Sequence, residues 1–91
     1  MNRTLMRVRC LAVIMAIGYV LINVSPGQEF DVYQTINDLQ NVADTTLLFG
    51  DYDILVKLEA NSLGEIAQTV VDTIRQVSGV TDTKTLAGAE L

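Results

Sequence analysis

The chain contains no histidine and no tryptophan, one cysteine (Cys10) and one proline (Pro26). Without histidine it lacks the commonest metal ligand and the commonest general base at neutral pH. A lone cysteine cannot close an internal disulfide, and no cysteine–histidine spacing for zinc is present. Basic residues are also scarce outside the first 14 positions, which hold Arg3, Arg7 and Arg9. From residue 15 onward, Lys57, Arg75 and Lys84 stand against eleven acids, a net charge of −8. Nucleic acids are held mainly by basic contacts to phosphate. Direct binding to them by this part of the chain is therefore not expected.

What the chain has is aliphatic bulk: 49% of its 91 residues are hydrophobic and only 5% aromatic. That composition suits a packed core, but a domain this small buries only about 60% of the surface its unfolded chain exposes. Small domains make up the shortfall with disulfides, metals or partner subunits. The first two are missing from the pattern, so self-association is the device expected here. Enzyme chemistry finds no support. Ser25 has no histidine to activate it and no G-x-S-x-G context. The glycines are isolated and build no phosphate-binding loop. Asp51, Asp53 and Glu59 supply too few ligands for a hard-cation site and read as a solvated face. Tyr19, Tyr33 and Tyr52 read as packing residues with wet hydroxyls. No cofactor and no metal are expected.

Residues 1–24 admit two readings. The three arginines followed by the apolar run Cys10–Ile22 resemble a secretory signal or membrane anchor. That run is about 13 residues, short of the roughly 20 needed to span a bilayer, and no small-x-small cleavage site occurs before it ends. On the other reading, residues 1–15 are an extension, from an upstream start or an unstructured tail, with translation beginning at Met1 or Met15. Ala16–Val24 (AIGYVLINV) is then a β-rich first strand closed by Ser25-Pro26-Gly27. We adopt the second reading, with a single domain over residues 16–91, a cytoplasmic location and no membrane association.

Beyond that strand, Phe30, Tyr33, Ile36 and Leu39 recur at helical spacing, with Glu29 and Asp31 near the positive end of the dipole. They predict a helix from residue 27 or 28 to about 41. Val42–Phe49 then reads as a strand, Gly50-Asp51 as a turn, and Asp53–Ala60 as a second strand of a hairpin. Ser62 and Glu65 form a capping-box pattern. They open a helix whose apolar stripe runs through Leu63, Ile66, Ala67, Val70, Val71, Ile74 and Val77, with Ser78-Gly79 as its stop. Val80–Ala87 alternates Thr81, Thr83 and Thr85 with Val80, Asp82, Lys84 and Leu86, as a charged edge strand would.

The order β-α-β-β-α-β with right-handed crossovers gives an α+β, ferredoxin-like sandwich. It is an antiparallel sheet with two helices on one face. The two central strands, 16–24 and 53–60, are apolar at nearly every position. A strand with one wet face should alternate. The face away from the helices is thus expected to be covered, most economically by the sheet of a second copy, giving a homodimer.

The segment Phe49-Gly50-Asp51-Tyr52-Asp53 is the most informative local feature. Glycine and aspartate are ordinary turn formers, and Asp53 could simply cap its own backbone. Such a turn also sets backbone N–H groups and carboxylates at a sheet end, a combination that can hold both ends of an amino acid.

Residues 16–91 resemble the effector-binding (RAM) domain of the Lrp/AsnC family of transcriptional regulators. The resemblance rests on AIGYVLINVSPGQE, FGDYDILVKLEA and IRQVSGVTDTKTL, in that order. It implies dimers joined through their sheets, higher oligomers such as octamers, and an amino acid or related small effector bound between dimers near the hairpin. Gly50, Asp51, Tyr52 and Asp53 match the binding positions, with Thr83 and Thr85 as weaker candidates. It also implies possible mixed assembly with full-length Lrp/AsnC regulators, because no helix-turn-helix segment is seen ahead of the domain. The function expected is an effector-binding and oligomerisation module that modulates transcription without its own DNA-binding domain. The alternatives are a purely structural oligomerisation protein and a dimeric ferredoxin-like monooxygenase. A form tethered to the membrane through residues 1–22 is a third.

Overall fold

The computed structural model describes residues 16–90. The segment 1–15, with Cys10, lies outside them. The first strand, β1 (Ala16–Val24), alternates strictly: its even-numbered residues are buried and its odd-numbered ones are half-buried or exposed. Gly18 is one of the buried positions because α2 (Leu63–Asp72) passes close over it. A Cβ built there would lie 2.8 Å from Cγ2 of Ile66.

Helix α1 (Glu29–Asn37) buries Val32 and Ile36, one turn apart, while Phe30 stays exposed and stacks on Tyr33 with 6.5 Å between ring centroids. It ends at Asn37, four residues before the expected end. Asn41 adopts a left-handed conformation (φ 72°), which asparagine tolerates better than most residues. Leu39 still packs against the core, from the turn rather than from the helix.

Strand β2 (Val42–Leu47) and strand β3 (Ile54–Ala60) form the hairpin, paired from Val42↔Leu58 to Leu47↔Ile54. Leu48 and Phe49, expected in β2, belong to the loop. The backbone N–H of Leu48 donates to the Asp53 carbonyl at 2.9 Å and closes it.

Ser62 caps α2 as its pattern predicted, its Oγ accepting from the Glu65 N–H at 3.1 Å. The reciprocal bond shifts by one residue, since Glu65 Oε1 accepts from the N–H of Asn61 rather than of Ser62. The apolar stripe is narrower than its sequence. Ile66, Val70 and Ile74 are buried, but Ala67 and Val71 are exposed. After Asp72 the helix tightens into a 3-10 turn (Ile74–Gln76), which carries Ile74 into the core. Strand β4 runs from Val80 to Glu90, three residues beyond the expected end.

The sheet is antiparallel in the order β2-β3-β1-β4, with both helices on one face, the ferredoxin-like arrangement. The core lies between sheet and helices, with Val20, Ile22, Ile36, Ile54, Leu58 and Ile74 fully enclosed. Each such side chain contributes roughly 1.5–3 kcal/mol through removal from water. On the other face, Ile17, Leu21 and Leu55 are only half-buried, and Tyr19 (38%) and Leu86 (45%) are exposed. Lys57 and Glu59 share that face as an ion pair 3.7 Å apart.

Candidate functional site

Because β1 and β3 are antiparallel, the end of β1 meets the start of β3, with Ile22 opposite Ile54. The chain leaves β1 through Ser25-Pro26-Gly27 and enters α1, so the first turn of α1 and the hairpin loop share one end of the sheet. Asp53 joins the two. Its N–H donates to the Ile22 carbonyl at 2.9 Å, and its carboxylate accepts from the Val24 N–H at 2.8 Å.

Beside it lies an open cleft of about 310 Å³, lined by Glu29, Leu47, Leu48, Phe49 and Asp53. Two carboxylates and three apolar side chains, with no base among them, suit a cationic group on an apolar body. Glu29 is partly engaged, accepting from the Gly27 N–H at 3.0 Å. Phe49 is fully exposed at the rim.

Of the positions expected from sequence, only Asp53 lines this cleft. Gly50 (φ 136°) shapes the loop in a conformation that favours glycine, Asp51 is exposed, and Tyr52 is half-buried. Thr83 and Thr85 pair with Ile22 and Val20 on the opposite side of β1 from β3. Two strand spacings, roughly 10 Å, separate that strand from the hairpin. Within one chain they do not join the hairpin residues. Thr83 instead lines a second cleft, of about 140 Å³, together with Arg75, Val80, Thr81 and Asp82. Thr85 lines neither cleft.

Glu29, Leu47, Leu48 and Phe49 were not singled out from the sequence as site residues. Glu29 reads there as a helix-dipole residue and the others as strand. The usable signal was topological: an antiparallel β1–β3 pair brings the β1–α1 connection beside the β2–β3 turn.

The carboxylates weighed above as a cation site do not cluster. Asp53 precedes β3 and Glu59 lies near its far end, about 20 Å away at ~3.3 Å per residue. Among the described residues no group of three or more cysteine, aspartate or glutamate side chains could hold a metal ion. No described helix is long and apolar enough to cross a membrane.

The ferredoxin-like sheet thus carries at its hairpin end a cleft of mixed acidic and apolar lining. The chain belongs to the Lrp/AsnC family: the model of the Lrp/AsnC ligand-binding domain matches residues 17–87. An uncharacterized HTH-type transcriptional regulator of Pyrococcus horikoshii is 30% identical over 72 residues, covering 76% of this chain and 48% of the relative. The chain thus spans about half the length of the curated relatives it matches. Among solved structures, a Thermus thermophilus protein aligns with a TM-score of 0.78 at 25% identity, over 85% of this chain and 96% of its own. A transcriptional regulator from Neisseria meningitidis, solved in complex with L-Met, aligns with a TM-score of 0.76 at 13% identity. It covers 88% of this chain and 53% of its own length. At that identity the likeness concerns the fold.

Proposed function

We propose that this chain is a cytoplasmic sensory module that binds an amino acid with an apolar side chain and modulates transcription through its state of assembly. The observation that carries the reading is the cleft beside the hairpin. Asp53 and Glu29 supply negative charge for an α-ammonium group, and Leu47, Leu48 and Phe49 supply an apolar wall. The L-Met complex of the Neisseria meningitidis regulator supports this ligand class by analogy of fold. Gly50, Asp51 and Tyr52 stand in the loop beside the cleft, where a neighbouring dimer could complete the site with Thr83 and Thr85 of its own. The assembly is a homodimer through the open sheet face, extended to a higher oligomer such as an octamer. Mixed assembly with full-length Lrp/AsnC regulators would carry the signal to DNA.

Calorimetry with the twenty amino acids tests the reading. Saturable binding of an apolar amino acid is expected, weakened in Glu29→Gln, which removes charge but keeps the oxygen that accepts from Gly27. No binding by any amino acid, together with no mixed assembly with a full-length relative, would overturn it. One observation favours a second reading, an oligomerisation domain without a ligand: Tyr19, Leu21, Leu55 and Leu86 share a face that has no cover among the described residues.

A further inference from the structure

Every backbone N–H from the end of β1 to the start of α1 is already taken. Val24 donates to the Asp53 carboxylate at 2.8 Å and Ser25 to the Gly79 carbonyl at 2.8 Å. Gly27 donates to Glu29 Oε1 at 3.0 Å and Gln28 to the Ser25 carbonyl at 3.0 Å, while Pro26 has no N–H to give. On the hairpin side, Leu48 donates to the Asp53 carbonyl and Asp53 to the Ile22 carbonyl, each at 2.9 Å. The two segments that meet at the hairpin cleft thus spend these donors on the fold.

No base makes up for them. Among the described residues, Lys57 is paired with Glu59, Lys84 lies opposite Leu21 on β4, and Arg75 stands at the other cleft. Gly50, Asp51 and Tyr52, the turn residues with N–H groups to offer, do not line the hairpin cleft. The first N–H groups of a helix have no intrahelical partner. In α1, however, they share the first turn with the carboxylates of Glu29 and Asp31, so an incoming carboxylate meets like charge. An ammonium group meets the reverse. Asp53 is bonded through Oδ2 and Glu29 through Oε1, and an ionised carboxylate has about four lone-pair sites, so both keep acceptor capacity.

We infer that this cleft recognises the ammonium group and the apolar body of its ligand and leaves the carboxyl end unread. The ligand class is a primary amine on an apolar chain, for which a free carboxylate is dispensable. Amino acid amides and amines that lack the carboxyl group altogether belong to it alongside the amino acids. Charge-assisted bonds from the ammonium to Asp53 and Glu29 supply the polar contact, and Leu47, Leu48 and Phe49 take the apolar body. A cleft of about 310 Å³ stands at the small end of the range for small-molecule sites, which suits such a ligand. The inference rests on the reading that the hairpin cleft is where the ligand binds, and it narrows what that ligand must carry.

The experiment is calorimetry of the full chain against three matched sets, built on leucine, methionine and phenylalanine. Each set holds the amino acid, its amide, the corresponding amine without a carboxyl group, and the N-acetyl amino acid, which keeps the carboxylate but has no ammonium. The amide and the amine are expected to bind at least as tightly as the acid, by up to roughly tenfold where one like-charge contact is removed. The N-acetyl compound should not bind. Glu29→Gln should weaken the amine and shrink the advantage of amide over acid. The inference is overturned if the acid binds more tightly than its amide and amine, if the N-acetyl compound binds as well as its parent, or if no compound binds. The first of these leaves the amino-acid reading standing. Amines that bind where no amino acid does would sink that reading and keep this one.

Discussion

The side chain of Asp53 is bonded to the backbone of Val24, 29 residues earlier, with 2.8 Å between the carboxylate oxygen and the amide nitrogen. The same residue's N–H donates to the Ile22 carbonyl. Asp53 therefore locks the start of β3 to the end of β1, and it lines the candidate cleft while doing so. One residue holds both the frame and the site.

Removing that carboxylate should accordingly cost stability as well as binding. Asp53→Ala is expected to lower the free energy of unfolding by about 1–3 kcal/mol, the range for leaving a part-buried donor without its partner. Asp53→Asn keeps an acceptor oxygen and should lose less. Urea denaturation of the two variants measures the difference. If both match the parent, the bond to Val24 has no structural weight. Because of this double role, Glu29→Gln is the cleaner probe of ligand binding.

Thr45 offers a change in the opposite direction. It sits in β2 opposite Val56, is 5% exposed, and its Oγ1 has no hydrogen-bond partner. Burying an unpaired hydroxyl costs on the order of 1–3 kcal/mol. Thr45→Val keeps the shape and removes the hydroxyl, so an increase of about 1 kcal/mol in unfolding free energy is expected. A midpoint in urea no higher than the parent's would show that the hydroxyl is satisfied in solution.

Self-association through the open sheet face has its own probe. Tyr19 lies opposite Lys57 on β3 and opposite Leu86 on β4. In Tyr19→Glu the new carboxylate faces Lys57, a favourable cross-strand pair that leaves the helix-facing core untouched. The variant is expected to keep its circular dichroism spectrum while sedimenting as a monomer at micromolar concentration. A parent protein that already sediments as a folded monomer would refute the interface, and so would a variant whose assembly is unchanged.

The elements were legible where one local rule decided them. The continuous β-branched run of 16–24, closed by Ser25-Pro26-Gly27, marked β1, and Ser62 with Glu65 marked the start of α2. Boundaries drifted where a tertiary or backbone constraint intervened. Leu39 keeps helical spacing yet packs from a turn that Asn41 closes. Leu48 and Phe49 look like strand but are claimed by the loop that the Leu48–Asp53 bond shuts. The stripe of α2 ran on through Ile74, but the 3-10 turn, not the helix, delivers that side chain to the core.

The candidate site was readable only in part, for the same kind of reason. Asp53 lies inside a recognisable hairpin segment, so sequence could reach it. Glu29, at the start of α1, and Arg75, at the end of the second helical region, each look like ordinary helix-terminus charges. Their clefts exist only once two distant segments have been folded side by side. Thr83 and Thr85 alternate along β4, and the expected order of strands, with 16–24 and 53–60 at the centre and 80–87 at an edge, already sets β1 between them and the hairpin of the same chain.

The strict alternation along β1 and β3 has a consequence for how such a domain can change over generations. In both strands every even-numbered residue is buried under the helices and every odd-numbered one looks outward. Mutation at 17, 19, 21, 55 or 57 can rewrite which surface the domain recognises while 20, 22, 54, 56 and 58 go on holding it together. Divergence of partner choice and preservation of the fold thus proceed on separate sets of codons, interleaved in the same two stretches of the gene.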